Sequence, residues 1–190
     1  QMIAKGLDIP GVTLVGVLNA DTTLLLPDFR AAERTFQLLY QVAGRAGRGV
    51  LPGEVIIQSH CPEHYAVRYS AQQDFYSFAR RELSIRQRFG YPPYTVLVRV
   101  IFSGESEEKV VRAAEDFGRV VRELMEEMAL LGPAPCPFGK LKGFYRWHII
   151  LKGKNGQKVR AVCREALMPL LRRQRTDVRI TVDVDPVSIL

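Results

Sequence analysis

Apolar residues change their period along this chain, and each change marks an element. Val12 to Leu18 is a near-continuous apolar run that closes on Asn19-Ala20-Asp21, the pattern of a strand covered on both faces in an α/β sheet. Arg30 to Ala43 holds neither Gly nor Pro and sets Ala32, Phe36, Leu39 and Tyr40 at helical spacing. The turn signal Leu51-Pro52-Gly53 then introduces a second short strand at Glu54 to Gln58, so the order is strand, helix, strand. From Glu63 to Phe89, the residues Tyr65, Val67, Tyr69, Phe75, Phe78, Ala79, Leu83 and Ile85 predict one or two amphipathic helices that carry Arg80, Arg81, Arg86 and Arg88 outward. Gly90-Tyr91-Pro92-Pro93 breaks this pattern, because each proline fixes φ and removes a backbone donor. A domain boundary is placed there, giving residues 1–90 and 91–190.

Beyond the prolines the pattern becomes strict alternation. Val96, Val98, Val100 and Phe102 share one face of a strand, with Leu97, Arg99 and Ile101 on the other. Ser106 is placed to cap the next helix, with Glu107 and Glu108 in its first turn where the helix dipole favours anions. Val110, Ala114, Phe117, Val121, Leu124 and Met128 form one apolar stripe, which Gly132-Pro133 ends. A Pro-rich link follows through Phe138, with a weak strand near Ala134 to Pro137. Tyr145 to Lys152 alternates again, and Trp147 shares a face with Ile149 and Leu151. A second helix carries Val159, Val162, Cys163, Ala166, Leu167 and Leu170, kinked at Pro169, before a last strand at Val178 to Val184. Strand, helix, strand, strand, helix, strand is the split βαβ order of a ferredoxin-like α+β sandwich, with helices on one sheet face.

Composition narrows the class. Apolar residues make up 47% and charged residues 25%, the balance of a chain that can bury a core. No apolar run approaches the roughly 18 residues a bilayer crossing needs, so a membrane span is excluded. Cys61, Cys136 and Cys163 stand too far apart for a CxxC pair, so no metal site is expected. Each reads as a buried or half-buried thiol in a reducing, cytoplasmic setting. His60, His64 and His148 are isolated and read as surface or structural.

The net charge of +7 is unevenly placed. Residues 140–175 hold eleven Lys and Arg against the single acid Glu165, a segment of +10, so the rest of the chain sums to −3. Such a patch attracts polyanions, chiefly nucleic-acid phosphates or an acidic peptide tail. Within it, Phe144, Tyr145 and Trp147 stand beside Arg146 and among Lys140, Lys142 and Lys152, a pairing of rings and cations that suits base stacking with phosphate neutralisation. A solvated helix face is the plainer reading of the charge run. For Trp147 an inward core position is equally open.

Gln41-Val42-Ala43-Gly44-Arg45-Ala46-Gly47-Arg48-Gly49 carries the most specific signal. Two guanidiniums three residues apart lie on one side of a helical turn, each able to donate a planar fork to phosphate oxygens, while the glycines permit close backbone approach. This stretch resembles the QxxGRxGR motif VI of superfamily 2 helicases. Gln1 to Pro10, followed by an apolar strand, resembles helicase motif V. Together with Asp28 to Arg34 and Asp183-Val184-Asp185-Pro186, these stretches make the whole chain resemble the C-terminal part of the primosomal protein N′ family of replication-restart DNA helicases.

The resemblance implies the end of a RecA-like helicase lobe, a parallel sheet with helices, followed by an S10-like domain. It implies that Arg45 and Arg48, with Gln41, act as arginine fingers on the γ-phosphate of ATP, and that Gly6, Asp8 and Gly44 face the nucleotide cleft. Lys5, Lys140, Lys142, Arg146, Trp147, Lys154 and Lys158 are the expected DNA contacts. ATP and Mg2+ belong to the full-length protein, and zinc to a cysteine cluster upstream. The implied partners are forked and single-stranded DNA, the acidic tail of single-stranded DNA-binding protein and other primosome proteins. Neither a GxxxxGK[ST] loop nor a DExH pair occurs here, so the isolated chain is expected to hydrolyse no ATP. Opening on Gln1 inside a motif, it reads as a fragment. A stand-alone binding module and a different superfamily 2 motor are the alternatives, and the S10-like half argues against the latter.

Overall fold

The computed structural model describes residues 12–44, 53–172 and 177–190. The chain divides into two compact units, Gln1–Ile85 and Arg86–Leu190. Both are mixed α/β, one built on a parallel two-stranded sheet and the other on an antiparallel four-stranded sheet.

In the first unit, β1 (Leu14–Val17) pairs in parallel with β2 (Glu54–Ile57), in the register Leu14 to Glu54 through Val17 to Ile57. Between them run the short α1 (Asp21–Leu24) and α2 (Ala31–Ala43), and α3 (Tyr65–Ala71) follows, then α4 (Phe75–Phe89), whose last four residues are counted in the second unit. Helix α2 buries Thr35, Phe36, Leu39 and Val42. Phe36 stacks on Phe78 with ring centroids 4.0 Å apart, while Leu39 meets Ala20 and Val67. The buried Asp21 carboxylate ties the two strand ends together, accepting from Ser59 Oγ at 2.7 Å and from the His60 N–H at 2.7 Å. These bonds hold its carboxyl below the usual carboxylate range, the Ser59 hydroxyl contributing most. The Asp28 to Arg34 stretch has a local role: Asp28 accepts from the Arg30 N–H at 2.9 Å and pairs with Arg34 at 3.2 Å, fixing the entry to α2.

Two expectations for this unit are corrected. The apolar run at β1 is covered on one face, not both: Leu14 and Leu18 are 57% and 81% exposed, as is Ile56 at 54%. The reason is that Val17 and Ile57 point at the cluster around Leu39, and among the described residues no layer packs on the opposite face. In α4 it is Glu82 that is buried and Leu83 that is exposed, because the Tyr65 hydroxyl donates to the Glu82 carboxylate at 2.6 Å and draws it inward.

The second unit runs β3 (Val96–Gly104), α5 (Glu107–Leu124), β4 (Met128–Leu141), β5 (Phe144–Gly153), α6 (Gly156–Arg172) and β6 (Val178–Val184). Its strand order is β4-β5-β3-β6, every neighbouring pair antiparallel. Both helices pack on one face. Val98, Val100 and Phe102 from β3, Val110, Ala114, Phe117 and Val121 from α5, Ile149 and Leu151 from β5, and Val159, Cys163, Ala166 and Leu170 from α6 form one core. Ser106 caps α5 by accepting from the Lys109 N–H. Helix α6 continues through Pro169 to Arg172.

The link between α5 and β5 differs from its sequence reading. Helix α5 ends at Leu124 because Met125 turns extended (ψ 136), and Met128 opens β4 opposite Gly153. The strand is fourteen residues long, not a short segment near Ala134 to Pro137. Its prolines are tolerated because β4 is an edge strand, and its pairing shifts between Leu131 and Ala134 and again between Pro135 and Lys140. Cys61 is exposed rather than buried, while Cys136 and Cys163 are buried, and burial pushes the Cys163 thiol up to about 11. Among the described residues, no helix is long and apolar enough to cross a membrane and no group of His, Cys, Asp and Glu could hold a metal ion.

Candidate nucleic-acid interface

Of the residues assigned to the nucleotide cleft, Gln41 and Gly44 are described. Gln41 sits exposed on the last turn of α2. Gly44 is that helix's C-cap, its N–H donating to the Tyr40 carbonyl at 3.2 Å. A Cβ at Gly44 would meet only backbone oxygens at 3.7 Å, so the surface there is open to close approach. Burial of Leu39 and Val42 on the opposite side of the turn fixes which side faces out. Lys5, Gly6, Asp8, Arg45 and Arg48 lie outside the described residues.

The basic segment is contiguous in sequence and divided in space. Lys140 and Lys142 stand at the tip of the hairpin joining β4 to β5. That turn is made by Lys142 (φ 51) and Gly143 (φ 88), the two left-handed positions that a tight two-residue hairpin requires. Lys140 Nζ lies 4.3 Å from the centroid of the Tyr145 ring and donates to its hydroxyl at 3.3 Å. Lys154 and Lys158 lie beyond the other end of β5, which at about 3.3 Å per residue places them roughly 30 Å from the tip.

At that far end, Lys152, Lys154 and Lys158 line an open cavity of about 820 Å³ with Leu124, Met128 and Val162. Asn155 caps α6 there, accepting from the Gln157 and Lys158 N–H groups at 3.0 and 3.1 Å. Lys152 donates to the Phe89 carbonyl at 2.7 Å and sits over the Tyr91 ring at 4.4 Å, and burial lowers its pKa. Lys158 lies 3.7 Å from Glu126, on the rim.

Trp147 takes the inward option. It is half-buried against the core, and its Nε1–H donates to Glu107 at 3.4 Å, so its ring belongs to the helix-covered face. Arg146 and His148 alternate onto the other face.

A polar cluster on that open face went unread in the sequence. Arg99 is 3% exposed in the middle of β3. Its guanidinium donates to His148 Nδ1 at 3.2 Å, to the Leu190 carbonyl at 2.7 Å and to Cys136 Sγ at 3.7 Å. Burial first, then the Arg99 and Arg146 charges, push the His148 pKa down to about 4, so the imidazole stays neutral and free to accept. The available signal was a lone arginine inside an alternating apolar strand.

The model of the primosomal protein N C-terminal domain matches residues 87–187. The chain is 41% identical over 192 residues to the replication restart protein PriA of Bacillus subtilis, a match covering 100% of this chain and 24% of that protein. It is 42% identical over 191 residues to the protein of the same name from Treponema pallidum, covering 100% of this chain and 29% of the relative. The Chlamydia muridarum relative is 38% identical over 189 residues, covering 99% of this chain and 25% of that protein. The chain therefore spans about a quarter of the length of the relatives it matches, at their C-terminal part. By the domain match over its second unit and by similarity along its whole length, the chain belongs to the primosomal protein N (PriA) family of replication restart proteins.

Proposed function

We propose that this chain is the C-terminal part of an ATP-dependent 3′ to 5′ DNA helicase that restarts stalled replication forks. Residues 1–90 then form the end of a RecA-like motor lobe, and residues 91–190 an S10-like, ferredoxin-like domain that binds DNA and partners in the cytoplasm. Similarity along the full chain to replication restart proteins carries the reading. Parallel β1 and β2 with α2 between them agree with the first half, and the antiparallel order β4-β5-β3-β6 with helices on one face agrees with the second.

In this reading Arg45 and Arg48 follow directly on the exposed end of α2 and donate to phosphate oxygens of ATP bound mainly by the rest of the motor. Positive charge delivered to a transferring phosphoryl group from a neighbouring lobe lowers the barrier, and Gln41 and Gly44 let the fork approach. Gly6 and Asp8 line the same cleft and Lys5 contacts the DNA backbone. The chain holds neither a phosphate loop nor an acidic pair, so Mg2+ and the inner phosphates fall to residues elsewhere in the protein. Its three cysteines, far apart in the sequence, form no CxxC pair, and in this reading zinc belongs to a cysteine cluster elsewhere in the full-length protein.

In the second unit, Lys140, Lys142 and Arg146 bind DNA at the hairpin end. Lys154 and Lys158, flanking an open cavity of mixed apolar and charged lining that also includes Glu126 and Glu127, suit DNA or the acidic tail of single-stranded DNA-binding protein. Other primosome proteins are further partners. The test is DNA affinity across a salt series. The chain should bind DNA with little sequence preference, log K falling linearly with log salt. Replacing Lys140, Lys142, Lys154 and Lys158 together by Glu should abolish binding, whereas unchanged binding would refute the assignment.

A further inference from the structure

Among the described residues, one face of the four-stranded sheet carries neither α5 nor α6, and its two ends differ. At one end it is closed: Leu97 is 0% exposed and Arg99 3%, with the Asp185 N–H donating to the Leu97 carbonyl at 2.9 Å and Arg99 reaching the Leu190 carbonyl. The segment after β6 therefore covers that end. At the hairpin end Phe144 and Arg179 are exposed among the described residues.

There the register lines up Arg146 on β5, Ser103 on β3 and Arg179 on β6 as direct cross-strand neighbours. Phe102, beside Ser103, belongs to the helix-covered core, so alternation puts this row on the opposite side. The two arginines are two strand spacings apart, about 10 Å between backbones. Phe144 precedes Arg146 by two residues on the same face and pairs with Leu141 across the turn. Phe144 and Leu141 are 45% and 51% exposed, in an apolar pair at the tip of a long hairpin. Lys142 adds a third cation at the turn itself. Asp177, two residues before Arg179, has its carboxylate held by Lys109, and Asp183 lies four residues after Arg179.

An exposed ring with cations on either side is complementary to an unpaired strand, where bases offer flat apolar faces and the backbone repeats negative charge. An acidic peptide would use the cations and leave the ring without a role. We propose that the open end of this sheet is a binding site for an unpaired nucleic-acid strand. Phe144 is the stacking surface, and Arg146 and Arg179 are the phosphate contacts. The inference deepens the DNA-binding reading above and rests on it, but moves the stacking ring from Trp147 to Phe144 and adds Arg179.

The experiment is fluorescence anisotropy of a labelled fifteen-nucleotide thymidylate strand titrated with the chain over a series of salt concentrations. Phe144→Ala should weaken binding about tenfold, the loss of one stacked base, while Phe144→Tyr stays close to the parent. Arg146→Ala with Arg179→Ala should lower the slope of log K against log salt by about 1.4, at 0.7 per single-strand phosphate contact. Trp147 emission and far-ultraviolet circular dichroism verify that each variant is folded. Should both variants keep the parent's affinity and slope while Lys154→Glu with Lys158→Glu abolishes binding, this site is overturned and the proposed function stands. The site is equally overturned if the variants lose only affinity for an acidic peptide. A chain with no affinity for DNA overturns both.

Discussion

His148 offers a direct check on the buried cluster under the open sheet face. Its Nδ1 accepts from Arg99, and only an unprotonated nitrogen can do so. The imidazole sits near pKa 4 in the fold against about 6.5 for an unperturbed histidine, so between those pH values the unfolded chain takes up a proton that the folded chain refuses. The unfolded state binds more protons, and stability therefore rises with pH in this window. The contribution is fully present above about pH 6.5 and is lost as pH falls toward 4. The full shift corresponds to about 3 kcal/mol, which partial exposure of the ring discounts to about 2 kcal/mol. Trp147 is the only tryptophan in the chain and lies in this unit, so its emission during urea unfolding reports the relevant transition. His148→Gln keeps an acceptor beside Arg99 but does not titrate. Between pH 7.5 and pH 4.5 the parent should lose about 2 kcal/mol more than this variant. Equal losses, from carboxylates common to both, would refute the coupling.

Further expectations follow from the packing. Phe117, fully buried with its ring 5.6 Å from that of Phe102, should cost about 3–5 kcal/mol when replaced by Ala, read from Trp147-monitored unfolding. Tyr65→Phe removes the bond to buried Glu82 and should destabilise the first unit by about 1–3 kcal/mol, seen as faster amide exchange in α3 and α4. The purified chain should release no phosphate from ATP above background; steady release that Arg48→Ala abolishes would contradict the missing phosphate loop.

Periodicity made much of the second unit legible. The alternation of Val96 to Phe102 and of Val178 to Val184 identifies both strands; Val98, Val100 and Phe102 join the core with the α5 stripe, as do Val178 and Ile180, while Val182 and Val184 stay exposed. The same periodicity misleads at Met128, which continues the helical spacing although its backbone has already turned extended, since a side-chain count does not register where the main chain changes direction. Proline and glycine hid β4, because their exclusion from strands applies to central positions and β4 is an edge with shifted pairing. Glu82 and Arg99 escaped notice for a shared reason: a charged residue is assigned to solvent until a specific partner is visible, and Tyr65 and His148 are 17 and 49 residues away.

For the candidate site, composition identified the cations but not their arrangement. Lys140 and Lys158 are neighbours in a charge count, yet the length of β5 stands between them. The arginines of the Gly-Arg motif are known from their sequence alone, while the helix end that leads to them is exposed, with Gln41 and Gly44 facing out.

The central claim, that this chain completes a nucleotide-hydrolysing motor, is tested most directly by Arg48→Ala in the full-length protein. ATP hydrolysis stimulated by DNA should fall by about a thousandfold or more while ATP binding is nearly retained, the signature of charge supplied to the transition state alone. Turnover equal to that of the parent protein would contradict the account.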